Sequence, residues 1–251
     1  MSTLRGLLSD LAPASVGSIN QFFVGALSPQ VSENVGACCC LWTVPAGISN
    51  VTFEAYGAGG DGGGGCCCHS TAIGSVGGNY AIKTVAVTPG DQFRICAPFS
   101  GCRNYCCGTA TRGLPAYVYN VTTAAMVVCA TGGQGADMTP TWTGSADGYT
   151  CCFGRLGCTD SLGDLVICGT GGTGFRNQFC HSDQYQLVAG GPVSTGRTSP
   201  DRCSIWGCQG CAIMKSPPPY PGGGGADGNA CGGSFCYGQW GQAGMVKITY
   251  R

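Results

Sequence analysis

Hydrophobic and polar residues alternate over short stretches of the chain, with the period of two that is typical of β-strands. Val51, Phe53 and Ala55 alternate with Thr52 and Glu54, as in a strand with one buried face. From residue 41 onward no stretch has the helical period of 3.6. We expect further strands at residues 80–87, 92–97, 116–119, 126–130, 164–168, 186–188 and 245–250.

Glycine and proline separate the predicted strands. Residues 45–47 (PAG) predict a turn, and residues 88–91 (TPGD) predict a hairpin between the segments at 80–87 and 92–97. Short strands between such turns predict an all-β fold, a short-stranded sandwich or jelly-roll-like module with long glycine-rich loops. The predicted glycine-rich loops are residues 57–65, 130–137, 169–174 and 217–233.

The first 40 residues differ from the rest of the chain. They contain no cysteine before Cys38, and Thr3–Leu11 can form one short helix. We expect residues 1–40 to be an N-terminal attachment or oligomerisation segment, and residues 41–251 to be a cysteine- and glycine-rich β-domain. No apolar run approaches the ~20 residues of a membrane span, and the early leucines are interrupted by polar residues. We therefore expect neither a signal peptide nor membrane insertion.

The composition is rich in glycine and poor in charge. Glycine supplies 46 of the 251 residues, whereas charged residues supply only 10%. The 12 acidic and 12 basic side chains cancel, so there is no basic field that would bind nucleic acid. Glycine loses more backbone freedom on folding than any other residue, and it brings no side chain to bury. We expect cross-links or oligomerisation to offset this entropy.

The chain contains 21 cysteines, and the first interpretation is that most of them form disulfides. Adjacent cysteines on a strand point to opposite faces, so a cluster can reach partners in different directions. An odd total leaves at least one cysteine free or bonded between chains. The disulfide candidates are Cys38, Cys39, Cys40, Cys66, Cys67, Cys68, Cys102, Cys106, Cys107, Cys151, Cys152, Cys158, Cys180, Cys203, Cys208, Cys211, Cys231 and Cys236.

A second interpretation, plain burial, applies to three cysteines on predicted strands. Cys96, Cys129 and Cys168 are placed where a small apolar side chain would fill the core. For these three positions we expect burial of a free thiol and disulfide pairing equally.

The third interpretation of the cysteines is a metal site. Cys203-x4-Cys208-x2-Cys211 has the spacing of three iron–sulfur ligands, and Cys231 could be a fourth. Cysteines 66–68 followed by His69 could bind zinc. Such spacings arise readily by chance at this cysteine density, so we favour disulfides and expect no cofactor.

No set of residues in the sequence has the arrangement of an active site. His181, Ser182 and Asp183 are adjacent, whereas the members of a catalytic triad converge from separated positions. The carboxylates are scattered, with no pair suited to glycoside hydrolysis. We therefore expect a protein that is not an enzyme.

Four motifs, taken in order, resemble those of the glycine-rich domain of phage tail fibre and tail-tip proteins. The resemblance covers about residues 42–251, and the high cysteine content is where this chain departs from the family. The motifs are WTVPAGISNVTFEAYGAGGDGGGG (42–65), GGNYAIKTVAVTPGDQFRI (77–95), CATGGQGAD (129–137) and GQAGMVKITYR (241–251).

The resemblance implies an adhesin-like structural protein of the virion. Its partners would be other virion proteins, further copies of itself, with a homotrimer favoured, and a host-surface glycan or protein. Such a protein would be made in the host cytoplasm and would form disulfides in the oxidising medium after lysis. A capsid decoration protein and a cysteine-ligated metal protein are the alternatives. The candidate receptor-contact residues, each of which could instead fill the core, are Trp206, Tyr220, Phe235, Tyr237 and Trp240.

Overall fold

The computed structural model describes residues 18–25, 37–61, 76–99, 112–135, 160–169, 183–184, 203–204, 220–224 and 241–251. Over these residues the chain forms β-strands and no helix, and hence no helix that could cross a membrane. The strands are β1 (Ile19–Val24), β2 (Ala37–Thr43), β3 (Asn50–Tyr56), β4 (Tyr80–Ala86), β5 (Gln92–Pro98), β6 (Ala116–Asn120), β7 (Ala125–Ala130), β8 (Leu165–Ile167), β9 (Asp183–Gln184), β10 (Cys203–Ser204) and β11 (Met245–Tyr250).

The strands form two main antiparallel sheets. Sheet A has five strands in the order β1-β11-β3-β4-β8, and sheet B has four in the order β2-β5-β6-β7. Strands β9 and β10 form a separate two-stranded pair. The prediction of an all-β fold is confirmed, and sheets A and B are arranged as a sandwich.

One hydrophobic core lies between sheets A and B. The rings of Phe53 on β3 and Phe93 on β5 have centroids 5.1 Å apart, and Trp42 on β2 contacts both rings at 6.1 and 6.0 Å. The alternation read from the sequence places Val51, Phe53 and Ala55 on the inner face, where none is more than 1% exposed. Full burial of such large side chains contributes about 1.5–3 kcal/mol each. The two sheets are therefore held together mainly by this core.

The turn at residues 88–91 is present, but the predicted hairpin is wrong. β4 pairs with β3 and β8 in sheet A, whereas β5 pairs with β2 and β6 in sheet B. The turn is closed by a hydrogen bond from the Asp91 N–H to the Thr88 carbonyl (3.0 Å), and Val44 on a neighbouring loop bonds to its tip. Local turn chemistry thus determines where the chain reverses. It does not determine which sheet the next strand joins.

Strand β1 and part of β2 lie within the first 40 residues and belong to the sandwich. β1 pairs with β11 along its whole length, with Ile19 opposite Tyr250, and Phe23 packs against the core. The β-fold therefore includes residues that the sequence assigned to an attachment segment. The predicted helix at Thr3–Leu11 and the predicted strand at 186–188 lie outside the described residues.

Glu54, on the outer face of sheet A, joins three side chains. Tyr56 and Tyr80 donate their hydroxyl groups to its Oε2 at 3.2 and 3.1 Å, and Lys247 Nζ lies 2.7 Å from its Oε1. The two tyrosine rings contact each other, with centroids 4.8 Å apart. Burial first, and then the charge of Glu54, raise the pKa of both phenols, because each disfavours a phenolate.

These raised pKa values predict a loss of stability in alkaline solution. Tyrosine has an ordinary pKa of 10.0, so the unfolded chain releases these two protons at a pH where the folded chain keeps them. Because the unfolded state then binds fewer protons, the free energy of unfolding should fall as the pH rises above about 10.

Replacing both Tyr56 and Tyr80 with Phe should make this decline shallower, as measured by urea unfolding from about pH 8 to about pH 11. A decline as steep in the double variant as in the wild type would contradict the assignment.

Candidate functional site

Glycine-rich segments extend several strands of the sandwich and pack side by side. β3 runs into residues 57–61 and β7 into residues 131–135, whereas residues 241–244 lead into β11. The described residues of these segments are mostly buried, although 16 of the 26 are glycine or alanine. We call this assembly the glycine bundle, and its segments are residues 57–61, 76–79, 112–114, 131–135, 220–224 and 241–244.

Backbone hydrogen bonds from residues 57–61 run to three different neighbouring segments. Gly57 and Gly60 both donate to residues 76–79, so the direction of the N–H groups repeats every three residues. A repeat of three residues without hydrogen bonds inside the segment is the geometry of a polyproline II helix. The bonds are Gly57 N–H to Asn79 O (2.9 Å), Ala58 N–H to Leu114 O (3.0 Å), Gly59 N–H to Gln242 O (2.9 Å) and Gly60 N–H to Val76 O (2.9 Å).

The segments lie so close together that a side chain would not fit between them. A Cβ atom at Gly57 would collide with the carbonyl oxygen of Thr131, and one at Gly132 would collide with that of Gly113. Because the obstacle is backbone, no rotamer change can relieve the collision. Glycine at these positions is therefore required by packing.

Asn79 cross-links the bundle from within. Its side-chain amide donates to Thr131 Oγ1 at 2.7 Å and to Ser161 Oγ at 3.1 Å, and its Oδ1 accepts from the Gly169 N–H at 2.8 Å. Asn79 is 4% exposed. A buried amide is stable only when its donors and acceptor find such partners. One side chain thus joins three separate parts of the chain.

Most of the residues that flank three long connections lie together at one end of the bundle; the exception is Asp160, which lies near Cys129 on β7. Asp61, 1% exposed, accepts a hydrogen bond from the Gly241 N–H at 2.9 Å. Nearby, Gly60 N–H donates to Val76 O and Val76 N–H donates to Gln134 O, both at 2.9 Å. We call this the distal end, and the connections that it flanks are residues 62–75, 136–159 and 225–240.

The N-terminal segment joins the fold at the opposite end. β11 leads away from the bundle, and its last residue, Tyr250, pairs with Ile19 at the start of β1. Residues 1–17 therefore connect at the end of the sandwich that is farthest from the distal end. The described fold therefore has two distinct ends. Most residues that flank the long connections lie at one end, and the start of β1, which follows residues 1–17, lies at the other.

Tyr220 is the one receptor-contact candidate within the described residues. It is 40% exposed, and burial of the rest of its ring raises its pKa to about 12. Gly222 N–H donates to Ala243 O (3.0 Å) and Gln242 N–H donates to Gly223 O (2.7 Å), so the two segments are antiparallel. Tyr220 therefore lies toward the sheets, away from the distal end. The candidates outside the described residues are Trp206, Phe235, Tyr237 and Trp240.

A disulfide joins Cys39 on β2 to Cys96 on β5, which confirms that the chain forms disulfides. The two residues are direct register partners in sheet B. Cys168 is also disulfide-bonded. Cys129 keeps a free, half-buried thiol, whose pKa is raised by burial and then by the nearby charge of Asp160. For the three strand cysteines, pairing thus applies to Cys96 and Cys168, and a free thiol to Cys129.

The remaining cysteine candidates are divided between the sheets and the rest of the chain. Cys38 lies on β2 and Cys203 on β10, and Cys40 packs against the core. No group of three or more potential metal ligands occurs among the described residues. The candidates outside those residues are Cys66, Cys67, Cys68, Cys102, Cys106, Cys107, Cys151, Cys152, Cys158, Cys180, Cys208, Cys211, Cys231 and Cys236.

Sequence reasoning did not single out Asn79 and Asp61, two of the three buried polar residues of the bundle. Each is the single amide or carboxylate within a glycine-rich stretch, GGN and GAGGD. An isolated polar side chain in such a stretch has few side chains to bond to, so its partners are the backbone groups of neighbouring segments. This was the available signal.

No protein-family model matches the chain, and no curated protein matches it. We therefore infer the function from the geometry of the described residues and from the sequence. That geometry consists of a sandwich and of a glycine bundle in which backbone segments are in direct contact, as at Gly57 and Gly132.

The packing of the bundle predicts that adding one methyl group will lower the free energy of unfolding more inside the bundle than in a turn. Gly132→Ala should lower the free energy of unfolding by about 3 kcal/mol, at the upper end of overpacking effects, because the new Cβ meets backbone. The matched control is Gly47→Ala, whose Cβ would have no atom within 4 Å. Its left-handed backbone, with φ of +83°, should cost about 1–2 kcal/mol. Equal losses in urea unfolding would refute the packing argument.

The Cys39–Cys96 disulfide predicts a measurable contribution to stability. It closes a loop with a sequence separation of 57, for which loss of chain entropy in the unfolded state corresponds to about 4 kcal/mol. The double variant Cys39→Ala/Cys96→Ala should have a free energy of unfolding that is lower by a comparable amount. Its urea midpoint should fall accordingly. An unchanged unfolding midpoint would show that the cross-link does not constrain the unfolded chain.

Proposed function

We propose that this chain is a non-enzymatic structural protein of a virion, placed at a tail fibre or tail tip, and that it presents loops to a host receptor. The observation that supports the proposal is the polarity of the fold. Most of the residues that flank three long connections lie at the distal end, and β1, which follows residues 1–17, begins at the opposite end. An appendage protein needs this separation between attachment and recognition.

The four motifs of the family resemblance coincide with the parts that create this polarity. The first includes the end of β2, all of β3 and residues 57–61, and the second includes β4 and much of β5. The third includes the end of β7 and residues 131–135, and the fourth includes residues 241–244 and β11. The motifs thus contain several of the sandwich strands together with extensions into the bundle.

The bundle is suited to carrying long variable connections. Its stability comes from hydrogen bonds between backbone segments and from close packing of glycine, as at Gly57 and Gly132. Among the described residues these bonds join segments of the bundle to one another, so we expect the platform to tolerate sequence changes in the connections. Recognition residues are commonly placed on loops held by a rigid scaffold.

The low charge of the chain favours a receptor that is recognised through hydrogen bonds and aromatic contacts. Charged residues supply 10% of the sequence, and the proposed contact residues are aromatic. Aromatic side chains with a polar group suit sugar rings and mixed protein surfaces. We therefore propose a host-surface glycan or protein as the ligand, with cysteine cross-links as reinforcement in the oxidising medium.

Immunogold labelling of intact virions tests the location of the chain. With an antibody raised against the purified protein, we expect labelling at the tail fibre or tail tip. Labelling of the head would instead favour a decoration protein, and particles that carry no label would overturn the proposal.

Receptor binding is tested by competition. The purified chain, added to host cells before the virions, should reduce adsorption in proportion to its concentration. A variant in which residues 225–240 are replaced by a Gly/Ser stretch of equal length that keeps Cys231 and Cys236 should lose this effect while keeping the wild-type unfolding midpoint. Full competition by that variant would remove this connection from the receptor site.

A further inference from the structure

Exposed apolar side chains lie on the outer faces of both sheets. On the outer face of sheet A, Phe22 (58% exposed) and Leu165 (53% exposed) lie among polar residues such as Glu54. On sheet B the outward side chains of two neighbouring rows are largely apolar or aromatic. We call this the sheet B face, and it is formed by Leu41, Arg94, Tyr117, Tyr119, Met126 and Leu162.

Strand alternation places these side chains outside the core. Trp42 and Phe93 point inward into the core, so their chain neighbours Leu41 and Arg94 point outward. The exposed fractions are 58% for Leu41, 42% for Met126 and 41% for Leu162. These residues are therefore accessible in the described fold.

An apolar outer face is unusual for a sandwich sheet. Antiparallel sheets that face water on one side normally alternate apolar residues inward with polar residues outward. Contiguous exposed apolar surface with tyrosine, methionine and arginine is typical of protein contact sites. The sheet B face, with Tyr117 and Tyr119 at its centre, has this composition.

Two opposite charges flank the centre of this face. Arg94 lies on β5, and Asp160 lies beyond β7 on the other side, close enough to influence the pKa of Cys129. Within the described residues neither Arg94 nor Asp160 forms an ion pair. Each is thus available to a charge on another molecule.

We infer that the sheet B face binds the same face of a second copy of this chain. A two-fold axis lying in the plane of the face, between Arg94 and Asp160, sets each Arg94 opposite Asp160 of the second copy. Tyr117, Tyr119, Leu41 and Met126 are then buried against the sheet B face of the second copy. Charge complementarity sets the register of such a contact, and apolar burial supplies most of its free energy.

The size of the face indicates a reversible dimer. Four strands spaced about 4.8 Å apart and two to three rows of side chains give a contact below the roughly 800 Å² per partner of a standard stable interface. We therefore expect association at tens to hundreds of micromolar, without a permanent dimer. This contact is independent of the receptor proposal, since it involves neither the distal end nor the long connections.

Charge reversal tests the inferred contact. Sedimentation equilibrium of the full chain should show a concentration-dependent dimer, and Arg94→Glu should weaken it about tenfold or more, because each interface then holds like charges. Asp160→Arg alone should weaken it similarly. The double variant Arg94→Glu/Asp160→Arg should restore most of the affinity, since the charges are exchanged.

The matched control is Arg251→Glu, an equal charge reversal at an exposed arginine outside the sheet B face, which should leave the dimer unchanged. Non-reducing electrophoresis of the same samples excludes covalent links between chains. A strictly monomeric protein, a trimer, or a double variant as weak as either single variant would overturn the inference.

Discussion

Direct contact between backbone segments, with no side chain between them, is the constraint on which the rest of this structure depends. At Gly57 and Gly132 the space that a Cβ would need is filled by the carbonyl group of a neighbouring segment. Glycine is costly to order, and here that cost is offset by inter-segment hydrogen bonds, by the buried amide of Asn79 and by the apolar core of the sandwich. The bundle and the sandwich stabilise each other because the same chain segments continue from one into the other.

This continuity explains how the glycine bundle, which has few large side chains, keeps a fixed shape. The sandwich sets the spacing and direction of β3, β7 and β11, and their extensions enter the bundle already aligned. The Cys39–Cys96 disulfide ties the edge of sheet B to its neighbour. The long connections then begin and end on a rigid platform, which is the property that the proposed role requires.

The sequence predicted the parts of the fold in which the pattern of apolar and polar side chains reflects the backbone structure. Alternation of apolar and polar residues around Phe53 and Phe93 located the core strands. In the sequence of β1, INQFFV, apolar and polar residues do not alternate. The three-residue repeat of the bundle leaves no trace in the sequence, because glycine has no side chain to alternate. The pairing of Cys39 with Cys96 was equally hidden, since it depends on which sheet β5 joins after the turn at 88–91.

Hydrogen exchange of the backbone amides tests the central claim most directly, because the bundle is held by those amides. If Gly57 to Gly60 are hydrogen-bonded inside a packed bundle, their amide protons should be protected to nearly the same degree as those of β3 and β11. Exposed residues such as Gly47 should exchange much faster. Exchange of residues 57–60 as fast as that of Gly47 would show that the glycine segments do not form a stable bundle, and it would contradict this account.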